Sequence, residues 1–447
     1  MTNQRKIDGL LHVVTGGLIM AGCVWWGWVR QNALFPAPVR LLGLGFGLGV
    51  ASLWIRSADW AVIRSSRVFC LSFLSLVFTI GALEAIFRLS GFDFTREEAN
   101  WRRLPPFERQ PIVPSGTVFF RRPGPEQWSG QVMNTTLREL HIAPNPYHDE
   151  PRILVRYNRL GFRNPEGFAD WEIAVAGDSF TELGYLTDDQ LFTAILGQTL
   201  HTRVANFGTS YTGPLTQLSY LKDCGLAPSI RKTVIVFFEG NDLLDLQEEY
   251  AALKEFERTG QRPYRKFSQQ TSMLRAIYRL VRDSRLKAEA RAPVVTAFFK
   301  SSHGNVPITL NYTPPNRRQI PDDGMSRLDY FFSQYETFGR EHGIATWLAF
   351  MPCKERVVYG MIDFATNAPE RFRQWQPTDL PQTIGDVAAS HKVRFVDLTP
   401  ALVKETTSTK ELLFNSIYDT HLTASGSQVV AQELARRLAE PPATPHS

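Results

Sequence analysis

"IAVAGDSFTELG", residues 173–184, joins a run of small apolar residues to a Gly-Asp-Ser turn. Such a short apolar run is typical of a β-strand that is buried on both faces of a parallel sheet. In open α/β sheets, ligands bind outside the carboxyl ends of the strands. Ser179 therefore follows a predicted strand at the edge where a nucleophile could act. Because a Gly-Asp-Ser triplet is common by chance, the interpretation depends on what the other strand ends carry.

The alternation of strand and helix continues along the chain from residue 173. Further apolar runs predict strands at 204–208, 233–240, 345–351 and 393–398. Helical patterns between and after them predict helices at 188–200, 213–224, 326–343 and 424–439. Strands that alternate with helices predict a parallel sheet with helices on both faces. We therefore expect an α/β fold, a flavodoxin-like α/β/α sandwich with a parallel sheet of about five strands.

Three apolar stretches precede this domain, at 10–29, 39–55 and 68–87. Each is about as long as a helix needs to cross a ~30 Å hydrocarbon layer, although the second is short and rich in glycine. The alternative is that they are buried helices of a soluble core. Basic residues before the first stretch and between the second and third favour a cytoplasmic N-terminus. With three spans the chain is a multi-pass inner-membrane protein whose large domain is periplasmic, whereas two spans would leave that domain in the cytoplasm.

The sequence divides into regions of different composition. Residues 1–92 form the predicted transmembrane region, and residues 93–170, rich in proline, arginine and aromatic residues, predict irregular or short β structure. Residues 171–440 form the α/β domain. Residues 243–320 interrupt it with a long insertion that is rich in arginine and lysine. This insertion could be a lid, a surface for an anionic polymer, a helix resting on the membrane or a solvated basic face.

Charge and cysteine content exclude several classes of protein. A formal net charge of +5 over 447 residues is modest, so it does not imply a nucleic-acid partner. The four cysteines, at positions 23, 70, 224 and 353, show no C-x-x-C spacing, which argues against a zinc site. Cys224 and Cys353 could pair in an oxidising compartment or be two separately buried thiols. We expect neither a metal nor an organic cofactor.

Polar residues follow the other predicted strands at the same edge of the sheet. Gly208 ends the second strand, Asn241 follows the third, and Asp419 and His421 come after the last. A serine hydroxyl needs an adjacent base, which His421 would supply, and Asp419 would hold the imidazole in one tautomer. An oxyanion needs donors in place, which the Ser179 and Gly208 N–H groups and the Asn241 amide would supply. This set predicts acyl transfer through a serine nucleophile.

Four blocks of the sequence resemble those of the SGNH (GDSL-like) hydrolase superfamily. They are "GDSF" at 177–180, Gly208 within "NFGTS", "EGND" at 239–242 and the late Asp/His pair in "YDTHLTASG". The resemblance covers roughly residues 155–438. It implies Ser179 as the nucleophile, Gly208 and Asn241 as oxyanion donors, and His421 as the base with Asp419 as its partner.

Flanking segments are similar to a narrower group, the membrane-associated bacterial SGNH proteins of exopolysaccharide modification, among them alginate O-acetylation proteins. The similar segments are "RYNRLGFRNPEG", "MPCKERVVYG", "VDLTPAL" and "DTHLTASG". This resemblance implies an acylated carbohydrate or polysaccharide as substrate, with polysaccharide-export proteins as candidate partners. Within "MPCKERVVYG", residues 354–356 either line the cleft or form a surface charge cluster at a helix start.

The spacing of the predicted acid departs from the superfamily pattern. Most SGNH hydrolases have the acid three residues before the histidine, where this chain has Tyr418. Asp419 is two residues before the histidine, so its carboxylate can reach the ring only through a local turn. Asp397 and Asp242 are the fallback acids. Asp178 is expected to hold the turn through backbone hydrogen bonds and not to join the triad.

The sequence thus predicts an extracytoplasmic enzyme that forms an acyl-serine intermediate, with acetyl as the expected group. It would pass the acyl group to water, as an esterase, or to a sugar hydroxyl, as an O-acyltransferase. Both reactions use one triad and differ in how water is excluded, so the sequence leaves them open. The alternatives are a non-catalytic carbohydrate-binding or assembly subunit on the same fold, and a lipase or thioesterase.

Overall fold

The computed structural model describes residues 82, 105–116, 118–131, 152–262, 294–417 and 419–439. The predicted spans at 10–29, 39–55 and 68–87 lie outside these residues apart from Ala82. The basic positions 275–287 of the predicted insertion also lie outside them. No helix within the described ranges combines the length and the apolar character that a membrane crossing requires.

The described strands form one parallel sheet and three small antiparallel ones. They are β1 (Val113–Ser115), β2 (Phe119–Arg121), β3 (Glu126–Gly130), β4 (Ile153–Tyr157), β5 (Ile173–Gly177), β6 (Val204–Gly208), β7 (Lys232–Phe238), β8 (Ala297–Ser301), β9 (Gly304–Ile308), β10 (Ala345–Met351), β11 (Ile362–Phe364) and β12 (Arg394–Asp397). The parallel sheet has the order β12-β10-β7-β5-β6. Numbered within this sheet alone, the order is the flavodoxin-like 2-1-3-4-5.

Helices connect these strands and cover the parallel sheet. They are α1 (Ser179–Glu182), α2 (Phe192–Leu200), α3 (Pro214–Asp223), α4 (Asp242–Thr259), α5 (Asp322–His342), α6 (Lys354–Val357), α7 (Glu370–Gln374), α8 (Leu380–Ser390), α9 (Thr399–Thr409) and α10 (Ala424–Ala439). Short 3₁₀ turns occur at Pro106–Glu108, Asp188–Gln190 and Arg317–Gln319.

Side chains that alternate along the central strands build two separate cores. On one face, Ile235 and Phe237 of β7 pack with apolar residues of α3, α4, α5 and α8. On the other face, Val234 and Val236 pack with residues of α1, α2, α9 and α10. Successive residues of a strand point to opposite faces, so a strand covered on both sides must be apolar throughout. The predicted α/β/α sandwich is confirmed in this part of the chain.

The predicted strands agree closely with the observed ones. The bounds at 173–177, 204–208 and 345–351 are the same in both, and β12 is one residue shorter at each end. The third strand spans 232–238 and not 233–240, and just beyond it the Glu239 carboxylate accepts from the Cys353 N–H at 3.0 Å. Gly177 pairs with Gly208 and with Val236, so β5, β6 and β7 end at nearly the same level.

The smaller sheets belong to the segments outside the sandwich. Strands β1 and β2 pair with each other, as do β3 and β4, all within the region 93–170. Within the predicted insertion, β8 and β9 form an antiparallel pair that β11 extends. Cys224 and Cys353 are both free thiols, so the prediction that they could pair is not met here.

Candidate functional site

The turn after β5 places Ser179 at the first position of α1. Asp178 caps this helix, because its Oδ1 accepts a hydrogen bond of 2.8 Å from the Phe180 N–H. This confirms the prediction that Asp178 holds the turn. The turn is tight: a Cβ atom on Gly177 would lie 2.0 Å from Thr181 Oγ1, and one on Gly208 would lie 2.3 Å from the Glu182 nitrogen. Both glycines therefore allow the backbone of α1 to sit directly against β5 and β6.

Asp419 and His421 form the predicted acid–base pair. Asp419 Oδ1 lies 2.5 Å from His421 Nδ1, and Asp419 Oδ2 accepts a bond of 3.1 Å from the His421 N–H. This is the local turn that the two-residue spacing requires, with an Asp side chain bonding its own backbone two residues on. Asn415 Nδ2 donates a further bond of 2.6 Å to Asp419 Oδ2. The acid is therefore fixed from two sides.

The fallback acids are used elsewhere in the structure. Asp397 Oδ1 accepts from the Thr399 N–H at 2.8 Å, at the start of α9. Asp242 is fully buried, and its Oδ2 accepts from the Phe238 N–H at 2.8 Å. Neither carboxylate bonds the His421 ring, whereas Asp419 does.

Burial and charge oppose each other in the titration of this pair. Burial alone would lower the pKa of His421, but the charge and hydrogen bond of Asp419 raise it above the usual value of 6.5. Burial would likewise raise the pKa of Asp419, but His421 holds it below its usual range. Asp419 therefore stays ionised and stabilises the imidazolium that would form when His421 accepts a proton.

The second ring nitrogen of His421 takes no part in the pair with Asp419. Nε2 is buried and has no hydrogen-bond partner in the described part of the chain. The residue after Ser179 contacts this histidine: the Phe180 ring centroid lies 4.8 Å from that of His421. No hydrogen bond joins Ser179 Oγ to Nε2 here. Such bonds often tighten only in the complex with substrate.

The three predicted oxyanion donors differ in their surroundings. The Ser179 N–H begins α1, where N–H groups lack an intrahelical partner. The Asn241 side chain lies at the start of α4, and its Nδ2 donates to Asp245 Oδ2 at 2.5 Å. The Gly208 N–H is buried and donates to Asn206 Oδ1 at 2.8 Å. The structure therefore does not present the Gly208 N–H to a substrate, and the direct role of this glycine is the close packing against α1.

A buried ion pair holds the far end of α1. Glu182 and Arg122 are almost fully buried, and the guanidinium donates two bonds of 2.6 and 2.9 Å to the two carboxylate oxygens. Tyr157 and Ser210 add hydroxyl bonds of 2.6 Å each to the same carboxylate. Arg122 also donates to the carbonyls of residues 106, 107 and 109. The segment before β1 is thereby fastened to the helix that carries Ser179.

The residues of "KER" after β10 are neither a surface cluster nor cleft-lining side chains. Lys354, Glu355 and Arg356 are exposed by only 0, 3 and 7%. Glu355 accepts backbone N–H bonds from positions 311 and 312, and Arg356 pairs with the buried Glu239. Both predicted interpretations are wrong, because all three side chains are buried and hydrogen-bond inside the protein, although Glu355 Oε2 has no partner among the described residues.

Lys354 supports the catalytic loop directly. Its Nζ donates to the carbonyls of Asn415 at 2.7 Å, Ser416 at 3.0 Å and Asp419 at 2.9 Å. Burial lowers its pKa to about 8, against a smaller raising effect of Glu355 and Asp419. A single ammonium group therefore ties together the loop that carries the acid and the base.

Aromatic side chains enclose the histidine. Tyr185 stacks on the His421 ring with centroids 5.2 Å apart, and its hydroxyl donates to Glu108 Oε1 at 2.6 Å. Tyr312 packs edge-on to Phe238 at 5.3 Å. Burial and then the charges of Asp178, Glu355 and Asp419 raise the pKa of Tyr312, so it stays a neutral hydroxyl. These groups give the site two apolar walls, each ending in a polar hydroxyl.

Sequence reasoning missed several of these residues. Tyr185, Tyr312 and Glu108 carry no motif, and the last comes from a segment that reads as irregular. The burial of Lys354 had a signal, since apolar residues surround it in "MPCKERVV". No cluster of three or more metal-binding side chains occurs among the described residues.

The comparisons with known proteins give structural likenesses only. No protein-family model matches the chain, and no curated protein matches it. The chain is similar to a lipolytic protein of the G-D-S-L family from Desulfitobacterium hafniense at 13% identity, covering 59% of this chain and 98% of that one, with a TM-score of 0.30. It is similar to an acetylxylan esterase from Geobacillus stearothermophilus at 13% identity, covering 61% and 96%, with a TM-score of 0.30. A further acetyl xylan esterase matches at 10% identity over 60% and 99%, with a TM-score of 0.29.

Proposed function

We propose that this chain is a serine-dependent acyl-ester hydrolase or O-acyltransferase, with acetyl as the group transferred. The observation that carries the proposal is the Asp419–His421 pair, whose Nε2 has no partner among the described residues and whose ring packs against Phe180, the residue after Ser179. A binding subunit would have no need of an oriented imidazole with one unpartnered nitrogen beside a helix-capped serine.

In the first half of the reaction, His421 Nε2 accepts the Ser179 proton while Ser179 Oγ bonds to the ester carbonyl carbon. The carbonyl oxygen becomes an oxyanion, which the Ser179 N–H and the Asn241 amide would stabilise after the amide turns from Asp245. Removing one such donor costs about 2.7–4 kcal/mol of barrier in related chemistry. The bond from carbon to the alcohol oxygen then breaks, and the imidazolium returns its proton to the leaving alcohol.

The second half transfers the acyl group away from Ser179. A water molecule or a sugar hydroxyl gives its proton to His421 and bonds to the acyl carbon, and Ser179 leaves with that proton. Asp419 stabilises the imidazolium in both halves without itself taking up a proton. Which acceptor is used depends on how far the walls formed by Tyr185 and Tyr312 exclude water.

We further propose that the substrate is an acylated carbohydrate and that the enzyme acts outside the cytoplasm, held by its apolar N-terminal stretches. The support for the carbohydrate lies in the segments that resemble exopolysaccharide-modifying proteins. The support for the location lies in the distribution of basic residues around 10–29, 39–55 and 68–87. Reporter fusions after residue 92 would test the location, and a cytoplasmic signal there would reject it.

The catalytic proposal is tested with p-nitrophenyl acetate and an acetylated oligosaccharide. We expect release of acetate by the wild type and a loss of at least 10³-fold in Ser179→Ala, since the nucleophile is gone. Full activity in Ser179→Ala would show that another group does the chemistry. Addition of an unacetylated oligosaccharide separates the two reactions: new sugar acetate supports the transferase, and free acetate alone supports the hydrolase.

A further inference from the structure

We propose that the groove that begins at Thr313, the residue after Tyr312, binds a stretch of carbohydrate chain next to the ester. The groove has a volume of about 760 Å³ and is formed by residues 313–319 and 371–379. The inference rests on the proposed function, because it names the part of the substrate that lies outside the reacting ester. It is carried by the position of the groove, the chemistry of its lining and its charge.

The chain leads directly from the catalytic site into this groove. The Tyr312 ring packs against Phe238 near the triad, and Thr313, the next residue, lines the groove. The opposite wall is also tied to the catalytic strand ends. Arg356 donates to the Thr378 carbonyl and hydroxyl at 3.0 Å each and to Glu239 at 2.7 Å. Since Glu239 follows β7 and stands two residues before Asn241, this buried chain of hydrogen bonds ties the wall of the groove to the strand end that precedes Asn241.

The lining has the chemistry that recognises sugars. Trp375 is half-buried, and its indole N–H donates to the Pro314 carbonyl at 2.9 Å, which fixes the ring. The lining otherwise contains amide side chains, including Gln319, Gln374 and Gln376. A rigid aromatic ring can cover the apolar face of a sugar, while amides donate to and accept from its hydroxyls. Gln319 Oε1 already accepts from the Asn316 N–H, and Gln374 Nε2 donates to Glu370 Oε1. The remaining polar atoms of these amides would find no partner on a hydrocarbon chain, which disfavours a lipid occupant.

The charge of the groove favours sugars that carry a carboxylate. Arg318 and Arg371 are exposed, and neither guanidinium makes a hydrogen bond or ion pair with a side chain of the described residues. Asp379 is the one acid in the lining, and its Oδ1 already accepts from the Arg317 N–H at 2.8 Å. Arginine pairs with carboxylates through two parallel hydrogen bonds. The guanidinium groups of Arg318 and Arg371 are therefore available to bind the carboxylate of an acidic sugar.

The test compares substrates that do and do not reach the groove, using the full chain in detergent. The probes are p-nitrophenyl acetate and acetylated hexasaccharides with and without uronic acids. In Trp375→Ala we expect kcat/KM for p-nitrophenyl acetate to stay within about twofold of wild type. For both hexasaccharides we expect a fall of at least tenfold, mainly through KM. Arg371→Ala should lower kcat/KM for the uronic-acid hexasaccharide alone.

Phe364→Ala is the matched control, because Phe364 is a partly exposed aromatic residue on β11, outside the groove. This variant should leave kcat/KM for all three substrates unchanged. Equal losses on ester and hexasaccharide in Trp375→Ala would overturn the proposal, as would no loss on either. If Trp375→Ala fails to fold in a thermal scan, Arg371→Ala decides in its place.

Binding separates a failure of this inference from a failure of the proposed function. Calorimetry of the hexasaccharides with Ser179→Ala protein requires no turnover. Binding that is lost in Ser179→Ala/Trp375→Ala supports the groove even if no ester is cleaved. If cleavage depends on Ser179 but Trp375→Ala leaves hexasaccharide binding unchanged, the proposal for the groove is rejected and the proposed function stands.

Discussion

Replacement of Lys354 by methionine tests whether one buried ammonium group positions the catalytic loop. Methionine has a similar length and no donor, so the Asn415, Ser416 and Asp419 carbonyls each lose a hydrogen bond. Leaving a buried carbonyl unsatisfied costs about 1–3 kcal/mol. The second effect has the opposite sign. Because the pKa of Lys354 is about 8 and not the usual 10.5, burial of its charge costs on the order of 3 kcal/mol, and the neutral methionine removes this cost. The net loss of unfolding free energy should be on the order of 3 kcal/mol.

The effect on catalysis should be larger than this loss suggests. One of the three carbonyls belongs to Asp419, so a looser loop moves the acid and with it the base. A displacement of about 1 Å can cost about 10²-fold in rate. We expect kcat for p-nitrophenyl acetate to fall about 10²-fold in Lys354→Met at a temperature where urea titration shows the protein folded. Lys404→Met, at an exposed position of α9, is the control and should change neither quantity.

The pH dependence distinguishes positioning from a purely structural role. As pH rises through about 8, Lys354 loses a proton and keeps two N–H groups for three carbonyls, so wild-type kcat should decline. Stability should change in the opposite sense: the folded pKa is below the unfolded one, so this residue's contribution to stability rises between about pH 8 and 10.5. If Lys354→Met is less stable but keeps kcat within threefold of wild type and shows the same decline of kcat at high pH, the positioning role of Lys354 is refuted.

Three further predictions follow from the same site. Asp419→Asn removes the charge that raises the pKa of His421, so the acidic limb of kcat/KM should move to lower pH while kcat drops about 10³–10⁴-fold; an unmoved limb would argue against the pair. Asp178→Asn keeps the acceptor for the helix cap and should retain most activity. Burial raises the pKa of Asp178 to about 7, above its unfolded value. The free energy of unfolding of the wild type should therefore decrease as pH rises from about 4 to 7, and that of Asp178→Asn should decrease less. Urea titrations at several pH values would measure both. Glu182→Gln leaves Arg122 buried without its carboxylate and should cost about 3–5 kcal/mol in urea unfolding, which Arg122→Met should partly restore.

The sheet could be predicted from the sequence because each central strand is an apolar run bounded by turn residues. The last helix, at 424–439, has the same bounds in prediction and structure for a related reason, since its apolar face repeats at helical spacing. Ser179, Asp419 and His421 could be placed because they follow strands whose carboxyl ends meet at one edge.

The remaining parts of the site depend on contacts between distant segments, which no local pattern encodes. Gly208 resembles an oxyanion donor by position, yet its N–H is bonded by Asn206, two residues away. Apolar neighbours indicate that Lys354 is buried, but its partners, the carbonyls of the loop 415–419, lie 61–65 residues away in the sequence. Tyr185 contacts His421 across more than 200 residues of sequence, so its role appears only in three dimensions.

The ion pair between Arg122 and Glu182 determines how far the chain can be shortened from its N-terminal side. Phe107 packs so closely on the nucleophile turn that a Cβ on Gly184 would lie 2.0 Å from its ring, and Glu108 bonds the tyrosine that stacks on His421. A fragment that starts at residue 171, where the sandwich begins, would lack Arg122, so the Glu182 carboxylate at the end of α1 would lose its cation. It would also lack Phe107 and Glu108, which contact Tyr185. The smallest independently folding piece should therefore include Phe107, Glu108 and Arg122 together with the sandwich.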